Sequence, residues 1–491
     1  MLMQVPRIYI SAAHKSSGKT TLSIGLCAAL HSQGLLVQPF KKGPDYIDPL
    51  WLTQASGGRA CHNLDFNTMS HEEILRTLCA SADNADISII EGNKGLYDGV
   101  ALDGSDSNAA VAKLTQTPVI LVIDTRGVTR GVAPLLMGYQ QFDTHINIAG
   151  VIYNLSSGGR HESKLRAVTE AYTDIPVLGV VKKNPRLEVD ERHLGLKPSN
   201  EGQGAAQKIA AIAQVVADSV DLARLVEIAS QAPALPFQNV SDENSGTKRV
   251  SNSGSTARGI RRKKVRLGIC EDSAFGFYYA GDKQALEEAG AELVKIDTLN
   301  DQCLPADLDG LFIGGGFPET HMQALAANKS MRQSIFDAIE AGLPTYAECG
   351  GLMYLSQTIQ WHGETAEMVG IIPADAVMHQ KPQGRGYVKL QETPFMPWSE
   401  TGGATTGRAP IINAHEFHYS ALVCHGGSLE KALESKGKFA YKVHRGVGIN
   451  GDYDGWVYKN LLANYSHMRD TDRFHWAQRF IDKIHKVKTR M

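Results

Sequence analysis

Cys349 lies in LPTYAECGGLMYLSQ, between an apolar strand-like run and an apolar helical run, with Gly350 and Gly351 directly behind it. This is a nucleophile-elbow layout, in which a sharp strand-to-helix turn exposes the thiol and the helix N-terminus favours its thiolate. Small residues there let the backbone approach a substrate closely. Upstream, GGGFPE (Gly314 to Glu319) ends another apolar run. Gly315 and Gly316, with the amide of Gly350, are candidate donors to the oxyanion of a tetrahedral intermediate, each worth about 2.7–4 kcal/mol. A nucleophilic cysteine needs a base. His415 and His418 in AHEFHYS, His444 in KVHRG and His467 in LLANYSHMRD are candidates, and His467 leads because it follows an apolar run as a residue leaving a central strand would.

A second set of residues suits phosphate. After the run RIYIS comes AAHKSSGKTTLSIGLCAAL, in which Ser16, Ser17, Gly18, Lys19, Thr20 and Thr21 carry the GK[ST] end of a P-loop that opens a helix. Backbone N–H groups at such a helix start surround phosphate oxygens, Lys19 neutralises their charge, and the Thr20 hydroxyl is placed to ligate Mg2+. Ala13 stands where the usual pattern has its first glycine. Two acidic segments follow, FKKGPDYIDP (Phe40 to Pro49) and EGNKGLYDG (Glu91 to Gly99). Open α/β sheets bind ligands at strand ends, and Mg2+ takes hard oxygen ligands, so Asp45 and Glu91 join Thr20 as metal candidates.

The elements that must hold these residues are legible as short β-branched runs alternating with helical segments. RIYIS, ISIIEG, VILVID, INIAGVIYN and IPVLGVV in the first half read as a parallel sheet covered on both faces. VRLGIC, AELVKID, GLFIGGG and LPTYAEC repeat the style in the second half, whose later strands are less regular. Between them, Gln231 to Arg262 is rich in Ser, Asn, Gly, Pro and charge, the composition of a linker. The expected organisation is therefore α/β in two domains, 1–230 and 263–491, joined by a flexible 231–262 segment.

With 491 residues, 43% apolar and 21% charged, the chain has material for more than one core. Its 50 basic and 52 acidic side chains leave a formal charge of −2, which excludes a general electrostatic grip on nucleic acid. Seven cysteines without a CxxC pair fit neither a disulfide framework nor a zinc site. A reducing cytoplasm without a membrane span is the expected setting.

Taken in order, the P-loop, FKKGPDYIDP, NLD (Asn63 to Asp65), EGNKGLYDG, ERHLGLKP (Glu191 to Pro198), EDSAFGFYYAGD, GGGFPE, AECGGLMYL, GRGYV, AHEFHYS and LLANYSH resemble the cobyrinic acid a,c-diamide synthase family over nearly the whole chain. The resemblance implies a dethiobiotin-synthetase-like ATP domain joined to a class I glutamine-amidotransferase-like domain. It implies that ATP and Mg2+ turn acetate carboxylates of a tetrapyrrole into acyl phosphates. Cys349 then frees ammonia from L-glutamine through a thioester, and the ammonia travels internally to displace phosphate. By the same resemblance His467 activates Cys349, Asn154 contacts the adenine, and Asp48 and Asp98 lie near the acceptor carboxylate. A homodimer is an assembly consistent with it. Lys94, where the family often has an apolar residue, adds a cation near the acceptor and keeps sirohaem or nickel-sirohydrochlorin open as alternative substrates. A different class of reading, a P-loop regulatory ATPase fused to a non-catalytic sensor, is disfavoured by the intact Cys349, Gly350 and His467.

Overall fold

The computed structural model describes residues 2–192, 195–201, 204–236, 264–399, 409–424 and 427–489, and the chain divides into two compact units, Met1–Ser255 and Thr256–Met491. The first unit is built on a seven-stranded sheet in the order His62–Leu64, Val37–Lys42, Ile87–Gly95, Arg7–Ala12, Val119–Asp124, Ile148–Ser156, Val177–Lys182, all neighbours parallel. Every residue of Arg7–Ala12 is buried, as a central strand covered on both faces requires. The five strands expected here form. Val37–Lys42 and His62–Leu64 are additions, because polar residues such as Gln38, Lys41 and Asn63 interrupt the apolar pattern there, yet all three are buried.

One boundary differs from expectation. The first six residues assigned to the linker, Gln231 to Pro236, belong to the first unit's fold: Leu235–Pro236 pairs antiparallel with Leu2–Met3, and Leu235 is buried. The physical cause is Arg7. Its buried guanidinium donates to the carbonyls of Val5 at 2.7 Å, Thr115 at 2.9 Å, Gln116 at 3.2 Å and Pro233 at 2.7 Å. A buried cation needs such partners, and the stretch supplies one. The remainder of that proposed linker, residues 237–262, lies outside the described residues, as do His193 and Leu194 of ERHLGLKP.

The second unit holds a nine-stranded mixed sheet. Its parallel part runs Ala291–Ile296, Val265–Cys270, Gly310–Ile313, Thr345–Glu348, Leu461–Asn464. Tyr453–Tyr458, Lys438–Arg445, Gly384–Glu392 and Ile411–His418 extend it antiparallel. The late strand Leu461–Asn464 inserts beside Thr345–Glu348, with Glu348 opposite Asn464. That insertion brings the chain just after Asn464 to the end of the strand that carries Cys349. One face is closed by helix Trp476–Lys488, whose Trp476 packs edge-on to Phe312 with ring centroids 5.4 Å apart. Among the described residues no helix is long and apolar enough to cross a membrane.

Candidate functional site

In the second unit, the strand Thr345–Glu348 ends one residue before Cys349, and helix Gly350–Leu355 begins one residue after it. To make that turn Cys349 adopts φ 49° and ψ −101°, a conformation L-residues rarely take. Such strain costs about 1–3 kcal/mol and persists only where surroundings over-determine it. Here they do. The Cys349 amide donates to the Asn464 carbonyl at 2.8 Å, and its own carbonyl accepts from Met353 at 3.1 Å. Two glycines are also required: a β-carbon on Gly351 would stand 2.2 Å from the Ile313 carbonyl oxygen, and one on Gly350 would stand 2.9 Å from the Gly316 nitrogen.

Of the four histidines considered, the structure brings His467 to Cys349, with which it shares a side-chain hydrogen bond. Burial alone would lower the His467 pKa, but the Cys349 sulfur and the Glu348 carboxylate together hold it up at about 10. Its Nδ1 lies 3.4 Å from Glu348 Oε2. Gly315 passes close to the ring, since a β-carbon there would sit 2.7 Å from His467 Cε1. His415 stacks on His467 with centroids 4.9 Å apart and planes 16° from parallel. Burial, then the neighbouring His467 and Arg469 charges, push His415 well below the usual histidine range. His418 instead stacks on Tyr465 at 3.9 Å and bonds the Ser420 carbonyl, and His444 is exposed beside Gln391. Gly315, Gly316 and Gly350 thus converge around Cys349 and His467, while the Gly314 amide is already taken by the Tyr278 hydroxyl at 2.9 Å.

In the first unit, His14 to Gly18 forms the turn between strand Arg7–Ala12 and helix Lys19–Ser32. Ser16 has φ 66° and Gly18 φ 84°, so the loop coils with the left-handed residues that nests use. The Ser17 hydroxyl donates to the His14 carbonyl at 2.8 Å, and Thr21 sits half-buried in the first helical turn. Asn154, expected to meet adenine, braces this loop: its Nδ2 donates to the Ser17 carbonyl at 2.9 Å and its Oδ1 accepts from the Leu155 amide. A glycine is needed at position 18 because its φ of 84° is one that L side chains rarely adopt, and a β-carbon there would also stand 2.2 Å from Asn154 Nδ2.

Beside the loop the carboxylates gather around a residue that sequence reasoning passed over. Lys41 is buried, forming ion pairs with Asp48, with Glu91 at 2.8 Å and with Asp45 at 3.9 Å. The Thr20 hydroxyl donates to Glu91 Oε1 at 2.7 Å and Asp48 Oδ2 at 3.2 Å. Asp48, expected near the acceptor carboxylate, therefore stands with the metal candidates, because the first turn of helix Ile47–Ala55 aims it at Thr20. Burial alone would lower the Lys41 pKa, but Asp48, Glu91 and Asp45 hold it well above the ordinary lysine value. Lys19 is lowered, first by burial and then by the Lys41 charge. Burial raises Glu91, and burial together with the Asp48 charge pushes Asp45 up to about 7. The signal available was KK directly before GPDYID, at a strand end.

Asp98 and Lys94 are exposed. Asp98 closes a turn onto the Gly95 amide at 3.2 Å and contributes to the field on Lys19, whereas Lys94 is not brought into the Thr20–Glu91 cluster. A divalent cation suits the cluster on chemical grounds. Its oxygens are hard, and among the described residues Glu91 Oε2 is buried without a hydrogen-bond partner.

Two sites of this kind, a phosphate loop in one α/β unit and a cysteine elbow in another, define a nucleotide-binding domain coupled in one chain to a glutamine amidotransferase domain. Residues 9–196 match the CobQ/CobB/MinD/ParA nucleotide binding domain, and residues 266–473 match the CobB/CobQ-like glutamine amidotransferase domain. The chain is 42% identical to the cobyrinate a,c-diamide synthase of Magnetococcus marinus, over 97% of each chain. It is 39% identical to that of Methanosarcina acetivorans, over 94% of this chain and 92% of the relative. The figure for Methanosarcina barkeri is 38%, over 94% and 93%. The chain belongs to the cobyrinate a,c-diamide synthase family.

Proposed function

We propose that this protein amidates the a and c acetate side chains of cobyrinate, using ATP, Mg2+ and L-glutamine. The observation that carries the reading is likeness along the full length to relatives named for that reaction, at up to 42% identity, in a chain with both sites intact. Those relatives favour cobyrinate over sirohaem or sirohydrochlorin, and the exposed setting of Lys94 gives no support to an extra carboxylate contact.

In the first unit, the loop amides after Ser16 and the Lys19 ammonium bind the nucleotide phosphates. Thr20, Asp48 and Glu91 would hold Mg2+, with Asp45 beside them; when bound, the metal draws charge from the γ-phosphate so that a carboxylate oxygen can attack it. Lys41, buried between Asp48 and Glu91, offsets the mutual repulsion of their charges. In the second unit, His467 removes the thiol proton of Cys349, and the thiolate attacks the glutamine amide carbon. The Gly316 and Gly350 backbone stabilises the oxyanion. His467 returns the proton to the leaving nitrogen, and water cleaves the thioester to glutamate. A carboxylate is a poor electrophile until phosphorylated, and ammonium is a poor nucleophile until deprotonated, so each unit removes one obstacle.

Purified protein incubated with cobyrinate, ATP, Mg2+ and glutamine is expected to yield a diamide by mass spectrometry, with ADP and glutamate formed in step. Turnover of sirohydrochlorin but not cobyrinate would overturn the substrate assignment.

A further inference from the structure

Glu348 is the residue immediately before the elbow, and neither composition nor spacing drew attention to it. Its side chain is about 4% exposed, and one of its carboxylate oxygens is held by two donors. Oε1 accepts from the Met468 amide at 2.8 Å and from the Tyr346 hydroxyl, and Oε2 faces His467 Nδ1 at 3.4 Å. The carboxylate is thereby fixed by Tyr346 of its own strand, which leads to the nucleophile, and by the amide of Met468, the residue after the base. With Nδ1 turned to Glu348, the hydrogen bond to Cys349 falls to Nε2.

We propose that Glu348 is the positioning residue of a Cys349–His467–Glu348 relay, an acidic third member supplied from the nucleophile's own strand end. The proposal rests on the reading of Cys349 as the glutamine nucleophile. Position 469, two residues beyond the base, is an arginine, and the Asp470 carboxylate is directed to the Ala477 amide at 2.9 Å and the His475 ring at 3.4 Å. The other groups around the ring are accounted for: His415 stacks on it in the neutral form, Arg469 lies over the Tyr279 ring at 4.9 Å, and Asp282 accepts from the Asp470 amide at 2.9 Å. The Glu348 carboxylate holds the ring with Nδ1–H toward it and Nε2 toward the thiol, and it stabilises the imidazolium formed when Nε2 takes the thiol proton. The proton then passes from Nε2 to the departing nitrogen as the C–N bond breaks, and ammonia leaves with the thioester in place.

The test compares full-length wild type with Glu348→Gln and Glu348→Asp, reading glutamine hydrolysis from pH 5.5 to 9.5 and, separately, amidation driven by ammonium salts. Glu348→Gln is expected to lower kcat for glutamine by about 10²–10⁴-fold with KM changed less than about 3-fold, since it removes orientation and charge but not the substrate pocket. The alkaline limb of its pH profile is expected to move about one unit toward acid, because losing the carboxylate lowers the His467 pKa. Ammonia-driven amidation is expected to stay within about twofold of wild type. Glu348→Asp, which keeps the charge but retracts it, is expected to recover part of the rate and the wild-type limb, and it carries the test if the Gln variant fails to fold. Unchanged glutamine turnover with an unchanged pH profile would overturn the proposal, and so would equal loss of both activities, which marks a purely structural role. Failure of the underlying reading is distinguishable, since Cys349→Ala would then still hydrolyse glutamine.

Discussion

The two sites solve the problem of buried charge in opposite ways. In the second unit the side chains that act on the thiol are already directed: the strained elbow is held by Asn464 and Met353, the base by the thiol and Glu348, and the carboxylate by Met468 and Tyr346. In the first unit Asp45, Asp48 and Glu91 crowd around a single buried lysine, two of their pKa values are raised, and one Glu91 oxygen has no partner among the described residues. A site that performs acid–base chemistry on its own side chains gains from being finished before substrate arrives. In the reading proposed above, a nucleotide and a cation complete the charge balance of the first site.

The sharpest way to separate the two is Cys349→Ala. Glutamine-driven amidation is expected to fall by about 10³-fold or more, while ammonia-driven amidation stays near wild type, as product mass and ADP release would report. Lys19→Ala is the mirror experiment. Amidation from either nitrogen source is expected to drop about 10²–10³-fold because a phosphate charge loses its partner, with glutamine hydrolysis persisting. Equal loss of both activities in either variant would break the comparison by showing that neither site is finished without the other.

Smaller effects probe the imbalance itself. Lys41→Met leaves the Glu91 and Asp48 charges without their cation, and urea unfolding is expected to show about 3–5 kcal/mol of destabilisation, partly reversed by Mg2+ with ATP. Smaller still is a pH effect from Asp45. Its pKa is raised to about 7 in the folded chain against about 3.9 unfolded, so between those values the folded state binds more protons. Its contribution to stability is therefore present at low pH and lost as pH rises toward 7. Calorimetry near pH 6.5 in two buffers of different ionisation enthalpy is expected to show proton release when Mg2+ and ATP bind, and Asp45→Asn is expected to diminish it.

The motifs on single turns were readable because their geometry is local. Gly18 before Lys19, and Cys349 between a strand and two glycines, carry their backbone requirements within a few residues, and the parallel strands announce themselves as apolar runs. The strands Val37–Lys42 and His62–Leu64 were not readable by that rule, since Lys41 and Asn63 are buried for what they bond rather than for apolarity: Asn63 donates to the carbonyls of Gly43 at 2.9 Å and Asp45 at 2.8 Å. Gln231 to Pro236 has the composition of a linker, yet the buried Arg7 draws it into the fold.

The residue order by itself determined the two-part α/β plan, the phosphate loop at Lys19 and Thr20, and the elbow at Cys349. Tertiary structure decided which histidine meets that elbow, that Asp48 and Lys41 stand with Thr20, that Asn154 braces the loop, and that Glu348 reaches His467. The reason is physical: a turn is specified by the steric limits of adjacent residues, whereas the pairing of Glu348 with Asn464 depends on a strand arriving from far along the chain. What surrounds Cys349 was therefore decided by sheet order, and the cysteine's position by its neighbours.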